Sequence, residues 1–141
     1  MEDLLSYLPP HDGLLPKWLL LISAVSVANS VQCYSTLHYT QQVYAGSSST
    51  ANKSPVTPLS GRTFGTWTFL SSIIRLWAAY HITNPQLYQI ALCTYAIALF
   101  HFASEWLVFG TARWGRGLAG PAIVSTTSLC WMLMQWDYYV K

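Results

Sequence analysis

His101 and Glu105 are the residues of this sequence whose types and spacing come closest to a chemical site. One helical turn separates them, so both side chains would project from one helix face and could offer two metal ligands. Ser104 beside them adds the residue types of a nucleophilic triad. Neither site can be completed, because the chain has only four histidines, two of which, His11 and His38, lie in or near predicted loops, and nothing supplies an oxyanion hole. The sequence therefore predicts no catalytic residues, no metal and no cofactor.

The elements that must position these residues are apolar. The chain has 141 residues, of which 52% are hydrophobic and only 9% charged, against about 25% charged in an average soluble domain. Three stretches without any charge are each long enough to cross about 30 Å of hydrocarbon as a helix. They lie between residues 17 and 53, between residues 75 and 105, and between residues 116 and 137. The composition predicts an integral membrane protein, and the scattered net charge of +2 predicts no nucleic-acid partner.

Four helical spans account for the apolar segments, at about residues 17–37, 62–80, 85–109 and 119–137. A flexible polar loop is expected over about 45–60, after a helical extension of span one that could reach Tyr44. Asn84 and Pro85 supply an N-cap and a first-turn proline, which predicts a tight hairpin between helices two and three. Pro121 is expected to open span four. The predicted fold is an all-α, four-transmembrane-helix bundle that forms a single membrane domain over residues 1–141.

The distribution of positive charge predicts the orientation of the bundle. Four spans place both termini on one side, with Lys17 and Lys141, and four other cationic residues lie on the opposite side: Lys53, Arg62, Arg113 and Arg116. The positive-inside rule then places both termini in the lumen and the long loop in the cytosol. Asn52 begins a glycosylation sequence, and this topology predicts that it carries no glycan.

Polar residues within the spans are the candidate contact residues. Charged groups in a bilayer are costly, so Arg62, Arg75, His101 and Glu105 are expected to stabilise the bundle or to contact a partner helix. Depth along antiparallel helices favours a pair of Arg62 with Glu105 and a mid-depth layer of Arg75 with His101. Alternatively, Arg75 extends its guanidinium to the membrane surface.

Two further pairs are predicted to pack or bond between helices. Asn29 and Gln32 are three residues apart on one face of span one and would hydrogen-bond across the bundle. Gly61 and Gly65 form a GxxxG sequence, which would allow close packing of spans two and three, or of two copies of the protein.

An ordered set of segments within residues 59–112 closely resembles the ergosterol biosynthetic protein 28 family. The segments are Gly61-Arg62-Thr63-Phe64-Gly65-Thr66-Trp67-Thr68, Ser71-Ser72-Ile73-Ile74-Arg75, His101-Phe102-Ala103-Ser104-Glu105 and Phe109-Gly110-Thr111-Ala112. The resemblance implies a non-enzymatic, multi-pass protein of the endoplasmic reticulum membrane. It also implies partners, namely a sterol C-4 methyl oxidase, a sterol 4-carboxylate 3-dehydrogenase and a 3-keto sterol reductase, with a sterol C-24 methyltransferase also associated in fungi.

Two other functions stay open at this point. One is a membrane bundle that binds or presents a sterol or lipid, with a homodimer as one form of it, because aromatic-lined helices with a polar group at one end suit such a molecule. The other is an intramembrane enzyme that uses His101 and Glu105.

Overall fold

The computed structural model describes residues 2–46 and 54–140, and within these ranges the chain is helical without strands. Seven helices follow one another there: α1 (Glu2–Leu5), α2 (Leu14–Ser35), α3 (His38–Val43), α4 (Pro58–Tyr80), α5 (Pro85–Leu107), α6 (Arg116–Met134) and α7 (Trp136–Val140). The predicted all-α class is confirmed. The centre of the predicted flexible loop, with Asn52, lies outside the described residues.

Three helices of the described part, α2, α5 and α6, are long and apolar enough to cross a membrane. Helix α4 has 23 residues, as many as α5, but six of them are Ser or Thr and two are Arg, and α4 is not among the three. The prediction of a membrane protein is therefore supported, whereas the four-span arrangement stays a prediction.

Local sequence explains where α4 and α5 begin. The Thr57 side chain accepts the Ser60 N–H at 3.1 Å and the Ser60 hydroxyl accepts the Thr57 N–H at 2.9 Å, which forms a capping box just before Pro58. The Asn84 side chain accepts two N–H groups of the first turn of α5, at 3.0 and 3.1 Å, and Pro85 follows. The predicted cap at Asn84 is confirmed, and α4 begins four residues before the predicted span.

The prediction that Pro121 opens the last long helix is wrong. Helix α6 begins at Arg116, five residues before Pro121, and its first turn packs closely on α3: a Cβ at Gly117 would overlap the carbonyl group of Gln42. Pro121 therefore lies inside the helix, where its ring removes one backbone hydrogen bond. The apolar segment predicted as 119–137 is divided into α6 and α7.

The predicted extension of span one to Tyr44 is also wrong. Helix α2 ends at Ser35, and Thr36 takes an extended conformation with φ −153° and ψ 151°. The chain turns there into the separate short helix α3, whose Thr40 and Val43 are buried. The turn matters for the site, because it places Tyr44 over the ends of α4 and α5.

Helices α2 and α4 pack along each other more extensively than any other pair, followed by α5 and α6. Gly65 allows this approach, since a Cβ there would lie 2.8 Å from the Cβ of Cys33 and 3.2 Å from the carbonyl oxygen of Ser30. Gly61 also faces α2. The two glycines thus pack against span one, whereas the sequence led us to expect them between spans two and three or between two copies. The tight hairpin of α4 with α5 stays a prediction.

Two apolar clusters form the core. One cluster, at the end of the bundle that carries the start of α2 and the short helix α7, includes Leu15, Leu19, Tyr88 and Met132. The other, at the end that carries the long loop, consists of Cys33, Val43, Phe64, Ala98, Phe102, Ala112 and Leu118. Many large apolar side chains point outward, such as Phe100 at 75% exposure, which suits a lipid surrounding.

The two ends of the described chain meet. The Leu15 N–H, in the first turn of α2, donates to the hydroxyl of Tyr139 in α7 at 3.2 Å. A Cβ at Gly13 would overlap that hydroxyl. The Trp18 indole donates to the Ser128 hydroxyl at 2.8 Å and joins α2 to α6. The start of α2 and helix α7 therefore lie at one end of the bundle.

Candidate functional site

Arg75 is a buried cation that α4 carries and α5 holds. Its side chain is 6% exposed, and its Nε donates to the Thr94 hydroxyl at 2.9 Å. Its guanidinium carbon lies 4.0 Å from the ring centroid of Tyr95. A cation over an aromatic face is stabilised by about 2 kcal/mol or more when water is excluded. Arg75 thus points into the bundle rather than to the membrane surface.

A cavity of about 520 Å³ adjoins Arg75 and is bounded by residues of α2, α3, α4, α5 and α6. Its wall combines aromatic and small polar side chains with the guanidinium: Ser26, Asn29, Phe64, Trp67, Thr68, Ser71, Tyr95, Phe102 and Ser125. Gln42 and Arg116, both exposed, line it at the end near the long loop. The volume lies within the range of small-molecule sites, about 300–1,000 Å³.

His101 belongs to a second site at the loop end of the bundle, which we call the loop-end cluster and define as Tyr44, His101, Glu105 and Thr111. A hydrogen bond of 2.6 Å joins the Tyr44 hydroxyl to Nε2 of His101. Burial raises the pKa of Tyr44 well above its ordinary value of 10.0, and the Glu105 carboxylate adds to the rise, so the phenol stays protonated at neutral pH. The Trp67 ring packs edge-on against His101, with centroids 5.6 Å apart.

Glu105 closes the turn that follows its own helix. Its carboxylate accepts the hydroxyl of Thr111, and its backbone carbonyl accepts the Ala112 N–H at 3.2 Å. The turn passes through Gly110, whose φ of 70° favours glycine. The Thr111 carbonyl in turn accepts the Gly46 N–H at 2.8 Å, which connects this turn to the segment after α3. Glu105 therefore fixes the turn after α5, and the Thr111 backbone joins that turn to the segment after α3.

The structure does not bring together the pairs that depth arithmetic favoured. Arg62 is exposed, and the partner of Glu105 is Thr111 rather than Arg62. Arg75 bonds Thr94, whereas His101 bonds Tyr44, so the two do not form one polar layer. The arithmetic measured depth along each helix but not which way the side chain faces.

Asn29 and Gln32, predicted to act on one face, have different surroundings. Asn29 is half-buried and lines the cavity, while Gln32 is exposed. Arg62 and Gln32 are therefore the predicted contact residues that a partner protein could reach. Arg75, buried within the bundle, is not, and Asn29, His101 and Glu105 are only partly exposed.

The structure gives little support to a serine nucleophile or a metal site near His101. Ser104 donates its hydroxyl to the carbonyl of His101 at 2.9 Å, so the hydroxyl is engaged with its own helix. Within residues 2–46 and 54–140, no three His, Cys, Asp or Glu side chains are grouped so that they could hold a metal ion. The polar side chains described above instead join helices and loops through buried contacts.

Sequence reasoning missed four residues that complete these contacts, namely Thr94, Tyr95, Tyr44 and Thr111. Thr94 and Tyr95 are adjacent polar residues in the middle of an apolar span, and that pattern could have marked them as partners of Arg75. No local signal places Tyr44 against His101, because 57 residues separate the two in the chain.

Comparison with known proteins matches most of the chain to one family. The family model described as Erg28 like protein matches residues 15–130. The chain is 50% identical to ergosterol biosynthetic protein 28 of Candida albicans, over 99% of this chain and 96% of that protein. It is 49% identical to the Saccharomyces cerevisiae protein of that name, over 90% and 83%. The human homolog is 38% identical over 89% and 87%. No solved structure matches.

Proposed function

The chain belongs to the Erg28 family, and we propose that it is a non-enzymatic scaffold of the endoplasmic reticulum membrane. The proposed partners are the sterol C-4 methyl oxidase, the sterol 4-carboxylate 3-dehydrogenase and the 3-keto sterol reductase, with the sterol C-24 methyltransferase as a further one. The observation that carries the proposal is the 50% identity, over nearly the whole chain, to a protein whose name states ergosterol biosynthesis and no enzymatic reaction.

The contact between the chain ends supports the proposed four-span topology. A chain that crosses a membrane three times leaves its ends on opposite sides, whereas the Leu15 N–H meets the Tyr139 hydroxyl at one end of the bundle. An even number of crossings accounts for this contact, and within the part of the chain that the structure describes α4 is the one helix besides α2, α5 and α6 with sufficient length. Ser71, Ser72 and Arg75 of α4, which are buried, then face the interior rather than lipid. Its exposed polar residues, such as Arg62, lie in the first turns of the helix.

The use of the buried polar groups also favours a scaffold. Arg75 and Glu105 bond to groups of the same chain, and the His101 imidazole bonds to Tyr44. Such contacts rigidify a bundle, at about 1–2 kcal/mol or less for each hydrogen bond within a membrane. A rigid bundle can hold several enzymes near one another, which raises their effective concentrations, so an apolar intermediate reaches the next enzyme before it disperses in the bilayer.

Quantitative co-purification tests the scaffold. The tagged chain is extracted from native membranes in mild detergent, and the proposed partner enzymes are measured by mass spectrometry. In a strain without the chain, C-4 methylated or carboxylated sterols should accumulate although the enzymes are present. If none of the enzymes is recovered with the wild-type chain, the scaffold is refuted.

Arg62 offers a matched test of where partners bind, because it is exposed on α4. Arg62→Ala should reduce the recovery of at least one enzyme, and Arg113→Ala, which removes an exposed arginine from the turn before α6, should not. Equal recovery with both variants would exclude Arg62 as a contact but would leave the scaffold itself standing.

The cavity favours a second candidate function, a bundle that binds a sterol or lipid. Its wall carries the rings of Phe64, Trp67, Tyr95 and Phe102, which suit a rigid apolar molecule. Sterol that remains bound to the purified chain through detergent exchange would support this function, and it would do so equally for a monomer or a homodimer.

A further inference from the structure

Arg75 holds unused hydrogen-bond donors inside the bundle. The bond from Nε to Thr94 is the single hydrogen bond that the Arg75 side chain makes with the described residues. The N–H groups of both Nη nitrogens are therefore without an acceptor among these residues. The residue is 6% exposed and lines the cavity. A buried cation whose donors are not satisfied is costly unless an acceptor or water reaches it.

We infer that the cavity binds an apolar molecule that carries one carboxylate, and that the free face of the Arg75 guanidinium binds this carboxylate. The two Nη groups form a planar fork, which matches the two oxygens of a carboxylate. Among the described residues, Arg75 is the one charged residue at the inner end of the cavity, since Arg116 lies at the exposed end. One cation neutralises one carboxylate, whereas a phosphate monoester, with a charge of about −1.5 to −2 at neutral pH, would bring more charge than this end of the cavity can balance.

The shape and lining of the cavity suit the rest of such a molecule. Arg116 and Ser125 both line it and are nine residues apart on α6, which corresponds to about 14 Å along the helix. The aromatic rings around this length offer flat apolar contacts, and small side chains such as Ser71 and Ala98 leave the space open. This inference deepens the second of the proposed functions, and it holds whether or not the scaffold does.

Direct binding to the purified full chain in phosphatidylcholine nanodiscs tests the inference. Two tritiated acids serve as probes, a sterol 4-carboxylate, whose choice rests on the proposed function, and palmitate, each with its methyl ester as competitor. The acid should bind saturably, and its ester should compete at least tenfold more weakly, because the ester carries no charge. Binding of either acid upholds the inference, and the comparison of the two identifies the source of the carboxylate.

Variants locate the site. Arg75→Gln should weaken binding of the acid about ten- to a hundredfold, which is the effect of losing a hydrogen bond to a charged group, and should remove the difference between acid and ester. Gly120→Phe should block both compounds, because Gly120 lines the cavity and a Cβ there meets nothing within 4 Å. Ala28→Phe, which adds the same ring at an exposed position of α2 outside the cavity, is the matched control and should leave binding unchanged.

Three results would overturn the inference: equal competition by acid and ester, unchanged binding in Arg75→Gln, or equal effects of Gly120→Phe and Ala28→Phe. If Arg75→Gln does not fold, the ester comparison and the Gly120→Phe variant still decide the matter. Failure of co-purification in the scaffold experiment has no bearing on these binding measurements, so the two proposals fail separately.

Discussion

Gly65 is the position where the packing of α2 on α4 can be tested most directly. A Cβ there would lie 2.8 Å from the Cβ of Cys33, 3.2 Å from the Ser30 carbonyl oxygen and 3.2 Å from the ring of Tyr34. Carbon atoms in contact prefer about 3.5–4.0 Å. The Gly65→Ala variant must therefore separate the two helices by about 1 Å, because neither a Cβ nor a backbone carbonyl can rotate away.

The expected change in the free energy of unfolding follows from two opposing effects. Overpacking of this kind costs about 1–3 kcal/mol, while replacing a glycine inside a helix by alanine gains up to about 1 kcal/mol. Gly120, inside α6, provides the matched control, since a Cβ there meets nothing within 4 Å. Gly120→Ala should therefore stabilise the protein slightly, and Gly65→Ala should be about 1–3 kcal/mol less stable than Gly120→Ala.

The free energy of unfolding can be measured in mixed micelles by titration with a denaturing detergent, with the fluorescence of the seven tryptophans as the signal. Cys33→Ala should not rescue Gly65→Ala, because the nearest atom is the Cβ of Cys33 rather than its sulfur, whereas Cys33→Gly should recover part of the loss. Equal stabilities of Gly65→Ala and Gly120→Ala would refute the close approach of α2 and α4.

Three further predictions concern helix α7, helix α3 and the long loop. Tyr139→Phe should cost about 1 kcal/mol or more in unfolding free energy, because the buried Leu15 N–H loses its acceptor, and Tyr138→Phe at an exposed position should have almost no effect. Burial raises the pKa of Tyr39 from 10.0 to about 12. Its contribution to stability is therefore complete below pH 10 and declines as the pH rises to about 12, and a spectroscopic titration of phenolate against a Tyr39→Phe reference should show this late ionisation. Asn52 should carry no glycan in a eukaryotic membrane, and a mobility shift on glycosidase treatment would place the long loop in the lumen instead.

From the sequence we identified several residues that form buried polar contacts, but not most of the residues that they contact. Arg75 stood out because a charge within an apolar stretch is expensive anywhere in a membrane. Its partner Thr94 lies on another helix, on the same face of α5 as His101 but two turns away along the helix. The axial position of α4 relative to α5 therefore decides that this hydroxyl, rather than the imidazole, reaches the guanidinium. For Glu105 the prediction failed for the opposite reason, because the partner is local. Thr111 is only six residues away, whereas depth arithmetic considered only partners on another helix.

The ordered segments within residues 59–112 identified the family, while composition, the spacing of charges and capping residues indicated by themselves that this chain is helical and suited to a membrane. These properties depend on the solvent that each segment prefers and on local hydrogen bonds, both of which can be read along the chain. Only the tertiary structure shows that Gly65 faces α2, that Tyr44 covers His101, and that Arg75 lines a cavity with hydrogen-bond donors that no described residue accepts. The physical reason is that residues distant in the chain meet according to the rotation and crossing of whole helices, which many side chains determine together and no short segment encodes.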